Sequence, residues 1–138
     1  MRYSALAVGQ SAERSHTVTD ADITMFAKVT GDDNPLHLDD EAASKTMFKG
    51  RIAHGMLSAG FISAVVGTQL PGFGAVYVTQ TLSFRRPVRI GDTITTRAEV
   101  VELLAAERRL RLATTCTNQH GKVVTDGEAV ILMPEESG

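Results

Sequence analysis

The stretch that decides the fold is IAHGMLSAGFISAVVGTQLPGFGAVYVTQTLSF, residues 52–84, which contains no Asp, Glu, Lys or Arg. Its spacing predicts a helix over residues 55–70, stopped by Pro71-Gly72, with apolar residues around nearly the whole circumference. Ser58 and Ser63 interrupt the apolar sequence, and no run of about 18 apolar residues exists, which excludes a membrane-spanning helix. We therefore expect a core helix that other elements enclose.

Period-two alternation of apolar and polar residues after residue 75 supplies the enclosing elements. The predicted strands cover residues 75–85, 93–103, 109–117 and 122–133. Val76, Val78, Leu82 and Phe84 share one face of the first strand, and Gly127 in the last strand is typical of a bulge. Long antiparallel strands and one buried helix predict an α+β fold, in which a curved antiparallel β-sheet wraps around a long central helix.

The sequence before residue 72 is helical in its periodicity. A helix is predicted from Asp20 to Thr30, with Thr19 as its cap, Asp22 as a weak capping-box partner and Gly31 after its end. A short strand is predicted over residues 16–18.

Residues 32–40 are predicted not to form a regular helix, because Pro35 biases Asn34 away from the helical region. A brief helix is expected over residues 41–46, capped by Asp39 or Asp40. Residues 48–54 read as a loop.

Length and composition predict one domain over residues 1–138, since domains of about 100–150 residues are common. Lys and Arg number 14 against 16 Asp and Glu, a formal net charge of -2. This balance argues against a nucleic-acid-binding protein and against polybasic docking to a membrane. The single cysteine, Cys116, excludes an internal disulfide framework, and its mid-strand position predicts a packed thiol. The N-terminal apolar run is too short for a signal peptide, so we expect a cytoplasmic protein.

The densest polar cluster, Gly31-Asp32-Asp33-Asn34-Pro35-Leu36-His37-Leu38-Asp39-Asp40, lies just before the charge-free stretch. The bend at Pro35 allows Asp32 and His37 to face one point, and a carboxylate beside an imidazole holds and polarises a water molecule. A solvated acidic loop is the alternative. Metal binding is not expected, because Leu38 breaks the calcium-loop pattern and His37 and His54 lack zinc-ligand spacing.

A second informative stretch, Arg51-Ile52-Ala53-His54-Gly55-Met56-Leu57, leads into the central helix. A helix N-terminus presents free N–H groups and partial positive charge, and Gly55 leaves room for a ligand to approach its amide. This arrangement suits a carbonyl oxygen that gains negative charge. The alternative is that Gly55 only permits tight packing and that His54 only caps the helix.

These residues resemble a known family, the MaoC-like (R)-specific enoyl-CoA hydratases. The resemblance is carried by Asp-x-Asn-Pro-x-His at residues 32–37, followed by Ala-His-Gly-Met at 53–56, and extends over roughly residues 17–133. It implies a hot-dog fold, a homodimer and a fatty-acyl tunnel near the dimer interface. It also implies reversible syn addition of water to a trans-2-enoyl-CoA, giving an (R)-3-hydroxyacyl-CoA, with no metal or redox cofactor. Such hydratases serve fatty-acid metabolism or polyhydroxyalkanoate supply.

Carried over residue by residue, the resemblance assigns roles to five positions. Asp32 and His37 would hold the reacting water and exchange protons with the substrate, and the Gly55 N–H would bind the thioester oxygen. Asn34 would brace the loop, and Ser63 would be a polar residue near the substrate. The alternative for Ser63 is a hydroxyl that bonds back to its own helix.

Three other functions remain open on the sequence. A 3-hydroxyacyl-carrier-protein dehydratase would need a basic rim, which either of two arginine groups is able to supply. These groups are Arg85, Arg86 and Arg89, and Arg108, Arg109 and Arg111. A non-catalytic acyl-thioester-binding subunit would not need an intact Asp/His pair, and a thioesterase is a weaker rival. The preferred acyl length is not predicted.

Overall fold

The computed structural model describes residues 1–134, so residues 135–138 of the predicted domain lie outside the described part. The helices are α1 (Asp20–Thr30), α2 (Pro35–Leu38), α3 (Asp40–Ser44) and α4 (Gly55–Thr68). The strands are β1 (Ser11–Thr17), β2 (Val76–Gln80), β3 (Ser83–Phe84), β4 (Thr93–Leu104), β5 (Arg109–Thr117) and β6 (Val123–Leu132). Single 3-10 turns cover Tyr3–Ala5 and Ala105–Glu107.

The strands form one antiparallel sheet in the order β1-β4-β5-β6-β2, with β3 also paired to β6. In β5 every second residue is buried, which is the alternation that a strand with one face on a core requires. The central helix α4 packs on the sheet and contacts β4, β5, β6 and β1. The predicted α+β arrangement, an antiparallel sheet around a central helix, is confirmed.

Only one side of α4 is buried in the single chain. Ile62, Val65 and Val66 face the sheet at 1% exposure or less, whereas Met56 and Ser63 on other faces are exposed. The expectation of a wholly enclosed helix is therefore wrong for one chain, because the sheet curves over one side of the helix alone. Helix α4 also ends at Thr68, before the predicted Leu70. Within residues 1–134 no helix combines the length and the apolar sequence that crossing a membrane requires.

Helix α1 has the predicted bounds. The Thr19 side chain accepts a hydrogen bond from the Asp22 N–H, and the Asp22 carboxylate accepts one from the Thr19 N–H, which completes the capping box. Gly31 follows at φ 81°, the left-handed conformation that ends helices and favours glycine. The chain therefore turns sharply just before Asp32.

The prediction of no regular helix within residues 32–40 is wrong in part. Residues 35–38 form the single turn α2, because proline fits the first position of a helix, where its missing N–H is not needed. The Asn34 side chain caps this turn by accepting from the Leu36 N–H. The next helix, α3, is capped by Asp39 and spans Asp40–Ser44 rather than residues 41–46.

The predicted strand over residues 75–85 is two strands, β2 and β3, interrupted at Thr81 and Leu82. A Cβ at Gly127 would collide with the Thr81 carbonyl, so the glycine in β6 allows the close approach of backbone at the interruption. The apolar face predicted for the first strand is not covered either, because Val76, Val78 and Phe84 are exposed in the single chain and Leu82 is half-buried. At the other end of the chain, β1 starts at Ser11, well before the predicted residue 16.

Candidate active site

The acidic residue of the candidate site lies on the loop between α1 and α2. Hydrogen bonds within the loop shape it: the Asp32 N–H donates to Thr30 Oγ1 (3.2 Å), and the Asn34 N–H donates to Asp32 Oδ1 (3.4 Å). Asn34 caps α2 through its side-chain oxygen, and this side chain is exposed. Asp32 is exposed as well and is accessible to solvent.

The imidazole of the site belongs to α2 and is almost buried. His37 is 9% exposed, and its Nδ1 lies 2.7 Å from the carbonyl oxygen of Ile52. Because a carbonyl oxygen only accepts, Nδ1 carries the proton in this hydrogen bond, and in the neutral imidazole Nε2 then has the lone pair. Arg51 Nε donates to the carbonyl of His37 (2.7 Å), which also ties α2 to the segment before α4.

The carboxylate and the two neighbouring imidazoles converge. One side-chain ligand atom from each of Asp32, His37 and His54 lies within 4.8 Å of the others. The rings of His37 and His54 are stacked, with centroids 3.9 Å apart and planes inclined by 28°. The side chains of Asp32 and His37 therefore lie near one point, which the bend at Pro35 allowed.

These three residues are of the types that bind zinc, but the ring geometry does not suit one shared ion. The lone pairs of an imidazole lie in the ring plane, and the stacked planes of His37 and His54 are close to parallel. Coordination of a single ion by both rings would need one of them to turn out of the stack.

Gly55 is the first residue of α4, so its N–H has no partner within the helix. It points out of the helix N-terminus together with the positive end of the helix dipole. A Cβ at this position would lie 2.8 Å from two ring carbons of Phe84, so only glycine leaves both the ring and the amide in place. His54 precedes it as the N-cap residue, but its side chain makes no cap hydrogen bond.

A cavity of about 380 Å³ opens beside Gly55. Its buried floor includes Ile52, Ala53, Val88, Ser58 and Thr125, and its exposed rim includes Met56, Phe84, Arg85 and Arg86. The floor is thus mostly apolar with two hydroxyl groups, and the rim carries two cations. A cavity of this kind suits an extended molecule with an apolar body and a negatively charged end.

A second cavity, of about 410 Å³, lies between α1, α4 and β1. Its walls are mostly apolar and include Phe26, Leu57 and Phe61. Phe26 also packs against the His54 ring, at 4.7 Å between centroids. One wall of this cavity is therefore in contact with the His54 side chain. The two cavities flank the N-terminus of α4.

Ser63 is not brought to the site in the single chain. It lies on the exposed face of α4 and lines neither of these two cavities. Ser58, one turn after Gly55, is 3% exposed and lines the cavity beside it. Sequence reasoning treated Ser58 only as a polar interruption; its spacing of three residues from Gly55 was the signal that the two share a helix face.

Cys116 is the packed thiol that its mid-strand position predicts. Burial raises the pKa of the Cys116 thiol, and the hydrogen bond with Thr96 Oγ1 (3.4 Å) lowers it by less. Because only the thiolate is a strong nucleophile, a thiol buried in this way is poorly suited to covalent catalysis.

Comparison with known proteins shows the family. A family model for the MaoC-like domain matches residues 4–123, and the chain belongs to the MaoC-like family. An (R)-specific enoyl-CoA hydratase from Rhodospirillum rubrum is 52% identical over 126 residues, which cover 91% of this chain and 87% of that protein. A 3-hydroxybutyryl-CoA dehydratase from Methylorubrum extorquens is 48% identical over 134 residues, 97% of this chain and 85% of that protein.

The fold is shared with solved structures of the same class. The unliganded R-hydratase PhaJ1 from Pseudomonas aeruginosa superposes with a TM-score of 0.91 at 51% identity, covering 97% of this chain and 86% of that chain. The antiparallel sheet around α4 is therefore a hot-dog fold, and the protein is an enzyme of the hydro-lyase class.

Proposed function

We propose that this protein is an (R)-specific enoyl-CoA hydratase, which adds water reversibly to a trans-2-enoyl-CoA and gives an (R)-3-hydroxyacyl-CoA. The observation that carries the proposal is the convergence of the Asp32 carboxylate and the His37 imidazole beside His54, the residue that directly precedes the free N–H of Gly55. The names of relatives at 48–52% identity support the reaction and the thioester substrate.

The first half of the reaction uses the acceptor atoms of the pair. A water molecule between Asp32 and His37 donates its hydrogens to the carboxylate and to His37 Nε2, whose lone pair is free because Nδ1–H is bonded to Ile52. As the water oxygen bonds to C3 of the enoyl group, one proton passes to the pair and the C2–C3 double bond opens. Positioned acid–base groups of this kind typically increase the reaction rate by about 10²–10⁴-fold.

The second half uses the helix N-terminus. Electrons released from the double bond collect on the thioester oxygen, where the Gly55 N–H and the helix dipole stabilise the charge. One such donor contributes about 3 kcal/mol to lowering the barrier. The enolate then takes a proton at C2 from the Asp32–His37 pair, which restores the site and completes addition of one water molecule from one face.

The cavity beside Gly55 supports an acyl thioester as the ligand. Arg85 and Arg86 on its rim fit the phosphate groups of CoA. The same arginines fit the phosphopantetheine arm of an acyl-carrier protein, which is the second candidate substrate. Parallel rates on crotonyl-CoA and on crotonyl carrier protein distinguish the two.

A homodimer is the proposed working form, and the two sheet edges support it. The β1 edge is polar, with Glu13, Arg14 and Ser15 in its middle, whereas β2 at the opposite edge is apolar and exposed. An apolar edge strand is a template for pairing with a second copy. In such a dimer the exposed face of α4, including Ser63, would lie towards the partner.

The chain is proposed to act as one catalytic domain, and a cytoplasmic location stays a prediction. The unpaired, buried Cys116 agrees with a reducing compartment.

Two substitutions test the proposed function directly. Asp32→Asn and His37→Gln each replace a group that takes up a proton by a neutral amide of similar size, which still accepts a hydrogen bond but is not a base. The rate of hydration of crotonyl-CoA should therefore fall by at least about 10²-fold. Asp33→Asn and His120→Gln are matched controls at exposed positions and should hydrate crotonyl-CoA at the wild-type rate. Near wild-type turnover in both site variants would refute the assignment. Release of free CoA thiol instead of hydration would identify a thioesterase.

A further inference from the structure

His54 contacts both members of the proposed catalytic pair, although the sequence suggested only a capping role for it. Its Nε2 lies 2.9 Å from the carbonyl oxygen of Asp32, and its ring is stacked on His37. Since a carbonyl only accepts, Nε2 is the protonated nitrogen in this hydrogen bond. Phe26 contacts the same ring, and the side chain is held in place at 3% exposure.

The other ring nitrogen of His54, Nδ1, shows that packing alone does not explain a histidine at this position. Nδ1 is buried and has no hydrogen-bond partner within residues 1–134. A buried polar atom without a partner costs free energy, on the order of 1–3 kcal/mol. A phenylalanine or leucine in this position would avoid that cost, so packing alone does not account for an imidazole here. What the imidazole adds over an apolar side chain is the Nε2–H donor to Asp32.

The Nε2–H of His54 joins the Asp32 loop to a segment that is distant in the sequence. The other hydrogen bonds described for Asp32 are formed within residues 30–34 and shape the loop without fixing it to the rest of the molecule. The His54 bond joins the loop to the residue immediately before Gly55. It therefore sets the distance between the carboxylate and the helix N-terminus.

We infer that His54 is a positioning residue, which uses Nε2–H to hold the Asp32 loop and its ring face to orient His37. The inference rests on the proposed hydratase function. His54 need not touch water or substrate to act in this way, because Nε2–H is already bonded to the Asp32 carbonyl and Nδ1 is buried. Its loss should therefore lower kcat and leave KM nearly unchanged. A displacement of about 1 Å of a catalytic group lowers the reaction rate on the order of 10²-fold.

The test compares His54→Phe with His54→Gln. Phenylalanine keeps a flat ring against His37 and Phe26 but removes the donor. Glutamine removes the ring, but its amide nitrogen lies as many bonds from Cα as Nε2 does and restores a donor. Hydration of crotonyl-CoA is measured for both, with thermal unfolding recorded in parallel. His120→Gln, on an exposed turn, is the matched control.

We expect kcat to fall about 10- to 100-fold in His54→Phe, KM to change less than about threefold, and His54→Gln to recover part of kcat. Recovery by glutamine without recovery of thermal stability would separate positioning from packing. Wild-type kcat in His54→Phe would overturn the inference, as would equal losses in both variants that follow their losses of stability. Activity of the wild type and of His120→Gln under the same conditions shows whether the proposed function itself holds.

Discussion

At the scale of single residues, three backbone groups decide the geometry of the site. The Ile52 carbonyl fixes the tautomer of His37, the Asp32 carbonyl fixes that of His54, and the Gly55 N–H is left free. A backbone group keeps its chemistry whatever the side chain, so these three functions depend on how the chain is folded. The side chains then need only the right shape and the right acceptor atoms.

Gly55→Ala is expected to impair the site because the added methyl group needs space, and not because a functional group is lost. Its N–H is kept, but the new methyl group would lie 2.8 Å from the Phe84 ring, so either the ring or the start of α4 must move. We expect kcat/KM for crotonyl-CoA to fall by about tenfold or more, because a shifted amide no longer faces the thioester oxygen.

A second substitution checks the cause of that loss. Phe84→Leu removes the atoms that the methyl group would meet, so Gly55→Ala should cost less in the Phe84→Leu background than in the wild type. Equal losses in the two backgrounds would show that contact with the ring is not the reason for glycine. An unaffected Gly55→Ala enzyme would argue against a role for this amide.

The sequence predicted that Asp32 and His37 face one point, but it did not predict the residues that hold them there. Asp32 and His37 are five residues apart on either side of a proline, so a local bend was enough to place them together. His54 comes from a distant segment, and its stacking on His37 and its bond to Asp32 depend on how α2 packs beside the start of α4. Contacts between separate elements leave no local pattern in one sequence. The exposed position of Ser63 was missed for the same reason.

At the scale of elements, α1 shows how a local signal becomes stability. Burial raises the pKa of the Asp22 carboxyl, but hydrogen bonds from His16 (2.7 Å) and Thr19 lower it by more, and the net pKa lies below the usual 3.8. A carboxyl group with a lowered pKa stabilises the fold when it is ionised, at pH above its unfolded-state pKa.

The lowered pKa of Asp22 means that its contribution to stability is lost in acid. Above about pH 4 the full contribution of Asp22 is present, and it is lost as the pH falls through the lower pKa of the folded state. The free energy of unfolding of the wild type should therefore exceed that of Asp22→Asn near pH 6, and the difference should shrink towards pH 2. Urea unfolding at several pH values measures it. A difference that stays constant or grows on acidification would contradict this account.

The elements predicted with correct bounds are those whose ends are set by neighbouring residues. Helix α1 has a capping box at one end and Gly31 at the other, and β5 lies between turn residues. The break between β2 and β3 was missed because it depends on Gly127, which is far away along the chain. Helix α2 was missed because Pro35 was read as a breaker, whereas it stands at the first helical position.

At the scale of the whole molecule, one chain leaves part of its apolar surface uncovered. This surface includes β2 and the face of α4 that the sheet does not cover. The alternation in β2 and the apolar circumference of α4 predicted burial for both. In the proposed dimer that prediction would hold for the pair of chains, although it fails for one.

Val78→Lys tests the dimer. A lysine on the apolar edge strand opposes pairing with a second copy, so sedimentation should show the mass of one chain where the wild type shows two. Ser11→Lys adds the same charge to the opposite, polar edge and should leave the mass unchanged. A wild type that sediments as a single chain, or a Val78→Lys variant that remains paired, would contradict this interface.

The most direct test of the central claim is the product of crotonyl-CoA hydration in D₂O. If Asp32 and His37 act on one face of a substrate held by the Gly55 amide, the wild type should give (R)-3-hydroxybutyryl-CoA. The product should carry one deuterium at C2, added syn to the hydroxyl group, and Asp32→Asn and His37→Gln should give almost none. An (S) product, anti addition, or undiminished formation by both variants would contradict the account.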